Sequence, residues 1–114
     1  MTIEADIYNA LKGLVSNRVY ADVAPAGAVA PYLTYQQVGG TGRNFLEATV
    51  PSKKNGRFQI NCWADSRISA AALSRQVEDA MVTTLKAFVL GAPVAMLDAD
   101  TGLRGTTQDF SLNF

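Results

Sequence analysis

The sequence predicts an α+β domain in which an antiparallel β-sheet of about four to five strands carries two helices on one face. Segments in which apolar and polar residues alternate, as in half-buried strands, outnumber the two segments with helical periodicity. Most connections are short, which favours antiparallel neighbours over crossovers. At 114 residues the chain has room for one hydrophobic core, so we expect a single domain over residues 1–114.

The first element is a helix that begins after Thr2 and ends near Ser16. Thr2 is a suitable N-cap, and Glu4 and Asp6 lie in the first turn, where the helix dipole favours negative charge. The apolar stripe of this helix comprises Ile3, Ile7, Ala10, Leu11 and Leu14. This stripe is expected to face the core.

A short strand, a loop and a second strand follow the helix. Residues 19–23 form the short strand, and the two prolines Pro25 and Pro31 prevent its continuation because proline has no N–H for a sheet ladder. Residues 32–38 are rich in aromatic and β-branched side chains and end at Gly39, which predicts the second strand.

The segment at about 39–56 is the least regular part of the chain and is long for a hairpin connection. It begins with a glycine-rich stretch, yet it also contains the apolar residues Phe45, Leu46 and Val50. Loops of this length in compact domains are usually functional or disordered. We therefore predict a flexible arm that binds a partner.

The periodicity of the chain changes from that of a strand to that of a helix near Ser66. Before this point Phe58, Ile60, Cys62 and Ala64 alternate with polar residues and Trp63. After it, the apolar residues recur at helical spacing: Leu73, Val77, Ala80, Met81, Thr84, Leu85 and Phe88. Cys62 is the only cysteine and lies on the apolar side of its strand, so we expect a buried hydrophobic residue rather than a reactive thiol.

Two strands complete the expected order α-β-β-β-α-β-β. Gly91 and Pro93 end the second helix, and residues 94–97 form a short apolar strand. The last strand alternates cleanly, with Phe110, Leu112 and Phe114 on its apolar side. The C-terminal segment should therefore be part of the sheet.

The composition argues against an enzyme. The chain has no histidine, which removes the commonest general base and nearly all zinc sites. The acidic pairs Glu78–Asp79 and Asp98–Asp100 fit a solvated helix flank and a turn, and the glycine-rich residues 39–44 lack the ending of a phosphate-binding loop. We expect neither a catalytic site nor a bound cofactor or metal.

The charge balance and the N-terminal sequence exclude two further classes of partner. Ten basic and ten acidic residues give no net charge, so no overall field favours specific nucleic-acid binding. Residues 1–4 carry no basic region and no long apolar run, which argues against a signal peptide or a membrane segment. We therefore expect neither specific nucleic-acid binding nor a membrane contact.

Five residues are candidates for protein contact: Arg43, Lys53, Lys54, Arg57 and Trp63. The four cations form a basic patch if the arm folds back, although loop charges often serve solvation alone. Trp63 lies on the polar side of its strand, where a large aromatic residue either covers a helix edge or contacts another subunit.

The order of these segments resembles the tail-completion (head-to-tail joining, tail terminator-like) family of siphophages and prophages. In that family a Pro-Tyr strand, here Pro31–Tyr35, precedes an Arg-x-Gln-[Ile/Val]-x-x-Trp-Ala strand, here Arg57–Ala64, which leads into the second helix. A strand similar to Gln108–Leu112 closes the chain. The resemblance covers nearly the whole sequence, except that the arm carries no family motif.

The resemblance implies a non-enzymatic virion protein at the head-proximal end of the tail tube. It implies self-association into a ring, expected to be a hexamer, and contacts with the tail-tube protein and a head-completion or neck protein. The expected location is the tail or neck of the virion after assembly in the host bacterial cytoplasm, with a monomer as a free form. Two alternatives remain open: a small ligand-binding or regulatory domain, and another neck or minor tail protein.

Overall fold

The structure, a computed structural model, describes residues 2–42 and 53–114. Within these residues two helices pack against one face of a six-stranded sheet. The helices are α1 (Ile3–Leu11), extended by a 3-10 turn at Lys12–Leu14, and α2 (Arg67–Leu85). The strands are β1 (Val19–Ala21), β2 (Tyr32–Gln37), β3 (Asn55–Ala64), β4 (Phe88–Val89), β5 (Val94–Leu97) and β6 (Arg104–Asn113). The α+β class is confirmed.

The sheet is mixed rather than wholly antiparallel, which corrects the sequence-based expectation. Its order is β1-β2-β3-β6, with β4 and β5 paired to the two halves of β6. β1 and β2 are parallel, because the proline-containing loop 22–31 carries the chain back past β1 before β2 begins. All other pairs are antiparallel.

The end of α2 accounts for the strand that the sequence pattern missed. Lys86 adopts a left-handed conformation with φ of 57°, and the N–H of Ala87 donates to the carbonyl of Met81 at 3.1 Å. This C-cap ends the helix before Phe88, which instead belongs to β4 and is 64% exposed. Including Phe88 and the exposed Thr84 in the apolar face of α2 was therefore wrong.

Both helices begin with hydroxyl N-caps. The N–H of Ala5 donates to Thr2 Oγ1 at 3.1 Å, and the N–H of Ser69 donates to Ser66 Oγ at the same distance. Each cap satisfies a donor that has no partner within the helix. The Thr2 cap confirms the start expected for the first helix.

The core lies between the helices and the adjacent face of the sheet. Its most buried side chains are Ile7, Leu11, Val15, Leu33, Phe58, Ile60, Cys62, Val77, Met81, Phe110 and Leu112. Phe58 and Phe110 are directly paired across β3 and β6, and both are fully buried. Burial raises the pKa of the Cys62 thiol from 9.0 to about 11, so the expected buried, unreactive cysteine is confirmed.

The opposite face of the sheet, here called the open face, is lined mainly by polar residues. The register places these side chains on it: Thr34, Gln36, Arg57, Gln59, Asn61, Trp63, Thr107, Asp109 and Ser111. Trp63 lies across from Gly105, where an added Cβ would be 2.6 Å from Cε3 of the indole. Only glycine at position 105 leaves room for the tryptophan ring.

Candidate assembly surfaces

The basic end of the sheet is where β3 begins. The backbone of Lys54 pairs with Phe114 through two hydrogen bonds of 2.6 and 2.8 Å, which holds this lysine at the end of the sheet. Lys53 and Lys54 are exposed. Arg43 lies outside the described residues, so its predicted place in a basic patch stays a prediction.

Arg57 lies on the open face near this end, and its side chain forms an ion pair. Its Nε donates to Oδ2 of Asp109 at 2.8 Å, and 48% of the arginine side chain is exposed. An ion pair this exposed contributes only about 0.2–1 kcal/mol to stability. Because Asp109 neutralises Arg57, the cations at this end available to another protein are Lys53 and Lys54 among the residues described.

Asn55 organises the base of the predicted arm, a role that the sequence pattern did not reveal. Its Oδ1 accepts from the N–H of Thr41 at 2.8 Å, and its Nδ2 donates to Ser111 Oγ at 2.8 Å. The residues that flank 43–52 are therefore joined to each other and to β6. The one available signal was an asparagine placed where an irregular segment enters a strand.

Trp63 lies at the opposite end of β3 from the lysines. It is six residues from Arg57, which is about 20 Å along a strand. The structure therefore does not bring all the candidate contact residues together: Lys53, Lys54 and Arg57 share one end, and Trp63 lies at the other.

A cavity of about 630 Å³ lies beside Trp63. Tyr32, Thr34 and Asn61 contribute to its lining, together with residues of the loop 22–31 and the turn before β6. Its acidic lining residues are Asp22, Asp65 and Asp98. Burial, followed by the charges of Asp98 and Tyr20, raises the pKa of the Tyr32 hydroxyl.

The chemistry of this cavity is limited. Asn61 Nδ2 donates to Thr34 Oγ1 at 3.3 Å, so these two polar groups of the lining bond to each other. Among residues 2–42 and 53–114, no group of three or more His, Cys, Asp or Glu side chains is arranged to hold a metal ion. The three aspartates line the cavity without forming a metal site.

The outer edge of the sheet carries a set of exposed apolar side chains, here called the apolar edge: Phe88, Val89, Leu90, Val94 and Leu97. They belong to β4, β5 and the start of the connection between them. The sequence pattern missed this surface because it placed Phe88 on a helix and gave no sign that the apolar strand 94–97 lies at an edge.

These surfaces are suited to contact with other proteins and define the chain as a candidate subunit of an assembly. No helix in the part of the chain that the structure describes is long and apolar enough to span a membrane. The family model for tail completion protein gp17 matches residues 6–112. The chain therefore belongs to the tail completion protein gp17 family, which gives it a structural role in a phage tail.

A solved structure has a similar fold. A chain from the "virion of native gene transfer agent (GTA) particle" superposes with a TM-score of 0.61, with 97% of this chain and 92% of that chain covered. The two sequences are 21% identical, so the likeness concerns the fold. No curated protein matches the sequence.

Proposed function

We propose that this protein completes the phage tail at its head-proximal end and joins the tail to the head, acting as a ring of identical subunits. The observation that carries the proposal is the family match, which extends over residues 6–112 and so includes most of α1, all of α2 and nearly the whole sheet. The proposed ring is a hexamer, with the tail-tube protein on one side and a head-completion or neck protein on the other. The role needs no catalysis.

The distribution of exposed residues supports a role in assembly. A subunit in a ring must offer two different surfaces to its two neighbours, and further surfaces to the proteins above and below it. This chain has an apolar edge on one side of the sheet and exposed lysines at the start of β3. We assign the contacts with the tail tube or neck to Lys53, Lys54, Arg43 and the rest of the arm.

Deletion of the gene from the phage or prophage that encodes the chain tests this function. We expect tails that exceed their normal length or that fail to join heads, both visible by negative-stain electron microscopy, with loss of infectious or transducing particles. Supplying the wild-type chain from a plasmid is the control and should restore normal particles. Normal particles from the deletion strain would contradict the function.

The cavity beside Trp63 favours a second candidate, a small ligand-binding or regulatory domain. Aromatic and acidic side chains line it, and such a lining suits a small cationic molecule. A screen of cationic metabolites by ligand-observed NMR tests this candidate, with Trp63→Ala as the control. Binding that Trp63→Ala abolishes would support it, and the absence of any binding would remove it.

A further inference from the structure

We propose that the apolar edge of one subunit binds a second copy of this chain at its loop 22–31, so that subunits associate head to tail. The loop carries two exposed apolar side chains, Val23 and Val29, here called the loop patch. The inference rests on the ring of the proposed function and names the contact that would build it.

The apolar edge has the properties of a docking surface. Val94 is 61% exposed and Leu97 is 59% exposed, although both belong to a strand. β4 and β5 pair with β6 on one side, and none of the described residues pairs with them on the other. An exposed apolar edge strand invites association with another chain unless something covers it.

The apolar edge is also held in place. Gln108 Nε2 donates to the carbonyl of Gly91 at 2.9 Å and to Glu78 Oε1 at 2.7 Å. Gln108 is itself buried, so the connection between β4 and β5 is attached to both β6 and α2. Because the surface is already ordered before binding, association does not cost the free energy of ordering it.

The loop patch belongs to the loop that leaves the strand at the other edge of the sheet. The loop leaves the edge strand β1, and it is ordered by the hydrogen bond from Asp22 N–H to the carbonyl of Tyr35 at 2.8 Å. Arg18 Nε secures its other end by donating to the carbonyl of Pro31 at 3.0 Å. Val23 is 76% exposed and Val29 is 65% exposed, so the core does not account for either side chain.

The positions of the two surfaces indicate that a second copy is the occupant. The strands that carry or adjoin them lie at opposite edges of one sheet, and both surfaces stay exposed in a single subunit. Two different surfaces that bind each other make a heterologous contact, which forms a ring if the rotation between subunits closes. The loop patch has only two large apolar side chains, whereas a standard interface buries about 800 Å² per partner, so each contact should be weak in isolation.

Charge is complementary as well. Asp22 is exposed and lies next to Val23 in the loop. Arg67, Arg75 and Glu78 on α2 border the groove formed with Pro93 and Ala95, beside the apolar edge, so this groove has two cations and one carboxylate. Neither Asp22 nor Arg75 has an ion-pair partner within residues 2–42 and 53–114. Docking of the loop patch on the apolar edge would therefore bring a carboxylate towards a guanidinium.

Cysteine cross-linking tests the contact in the intact chain. The double variant Val29→Cys/Val94→Cys is treated with a flexible bis-maleimide at high protein concentration and examined on a denaturing gel. Head-to-tail contact predicts a ladder of dimer, trimer and larger species, because each subunit reacts with two different neighbours. Cys62 does not interfere, since burial raises the pKa of its thiol to about 11.

Matched controls make the result specific. Val82 is also exposed but lies on α2, so Val29→Cys/Val82→Cys should remain monomeric. Adding Leu97→Asp to the reactive pair should lower the yield of cross-linked species about tenfold, which corresponds to about 1.4 kcal/mol, whereas adding Val82→Asp should not. Circular dichroism confirms that each variant is folded.

Three outcomes would overturn the inference. The first is a cross-linked yield for the 29–94 pair no higher than for the 29–82 pair. The second is a ladder that stops at dimer, since this indicates a two-fold contact. The third is a ladder that Leu97→Asp leaves unchanged. If these results occur while the gene deletion still disrupts tails, the contact is wrong and the proposed function stands. A ladder together with normal particles from the deletion strain leaves the contact intact but removes the function.

Discussion

At the scale of single residues, the fold depends on an aromatic pair at the centre of the sheet. Phe58 and Phe110 face each other across β3 and β6, and neither is exposed. Phe114 packs edge-on to Phe58, with ring centroids 6.2 Å apart. The alternation of apolar residues in these two strands predicted this arrangement, since a two-residue period puts all such side chains on one face.

Phe110→Ala should destabilise the protein by roughly 3 kcal/mol, because truncating a buried aromatic side chain loses its transfer free energy and leaves a cavity. Urea denaturation followed by circular dichroism measures the change. Phe88→Ala is the matched control: this phenylalanine is largely exposed, so the free energy of unfolding should change by less than about 0.5 kcal/mol. An unchanged melting point for Phe110→Ala would contradict its place in the core.

Cys62 makes stability depend on pH in the alkaline range. Its pKa is about 11 in the folded chain and 9.0 ordinarily, so between these values the unfolded chain loses a proton that the folded chain keeps. The protonated thiol therefore makes its full contribution to stability below pH 9, and this contribution is lost as the pH rises towards 11. The total loss in the free energy of unfolding is about 2–3 kcal/mol. Urea denaturation at pH 8 and at pH 10.5 measures this loss.

Cys62→Ala, which lacks the titrating group, is the control for other residues that ionise in the same range. The wild-type chain should lose more stability than this variant between the two pH values. Equal losses would show that the thiol has no part in the pH dependence.

At the scale of elements, the largest differences from the sequence-based expectation occur where a backbone conformation redirects the chain. The parallel pairing of β1 with β2 depends on the path of the loop 22–31, and the separation of β4 from α2 depends on the left-handed Lys86. Neither feature is evident from the residue types. Lysine is common within helices, and a loop of this length can lead to parallel or to antiparallel pairing. The presence of both helices, the Thr2 cap and the apolar stripe of α1 were far more predictable.

The arm is the element whose loss should separate folding from function. Replacing residues 43–52 with a short glycine–serine linker should leave the domain folded, because the contacts of Thr41 and Asn55 lie outside the deleted segment. Assembly into tails should be abolished if this segment reaches the tail tube or the neck. Urea denaturation and complementation of the deletion strain measure the two effects.

A shuffled sequence of residues 43–52 is the control, since it keeps length and charge but not the order of side chains. We expect it to fold and to fail in assembly. If the shortened chain unfolds, the segment belongs to the core and the interpretation as an arm is wrong.

At the scale of the whole molecule, the chain has no net charge, but its basic, acidic and apolar surfaces lie in different places. Exposed lysines lie at the start of β3, three aspartates line the cavity at its other end, and the apolar edge runs along β4 and β5. The net charge of the sequence does not show this separation, because the positive and negative charges cancel. A subunit with different chemistry on different sides is suited to an asymmetric position between unlike partners.

The candidate site was only partly predictable for the same reason. The sequence singled out Arg43, Lys53, Lys54, Arg57 and Trp63 by residue type and place in the chain. Of the four that the structure describes, Arg57 and Trp63 lie on the open face that the alternation implies, and the two lysines come just before β3. The sequence could not show that Asp109 neutralises Arg57, because these two residues are distant in the chain and meet only when β3 pairs with β6.

The sequence by itself determined the α+β class, the two helices with the Thr2 cap of the first, the buried side of β3 and β6, the unreactive cysteine and the family resemblance. Each of these features depends on local periodicity, capping or residue order, and such signals are contained within one segment of the chain. The tertiary structure alone decided the parallel β1–β2 pair, the apolar edge, the Asn55 junction and the cavity beside Trp63. Each of these depends on which strands become neighbours and which strand is left at an edge, and such pairing is set by long-range packing.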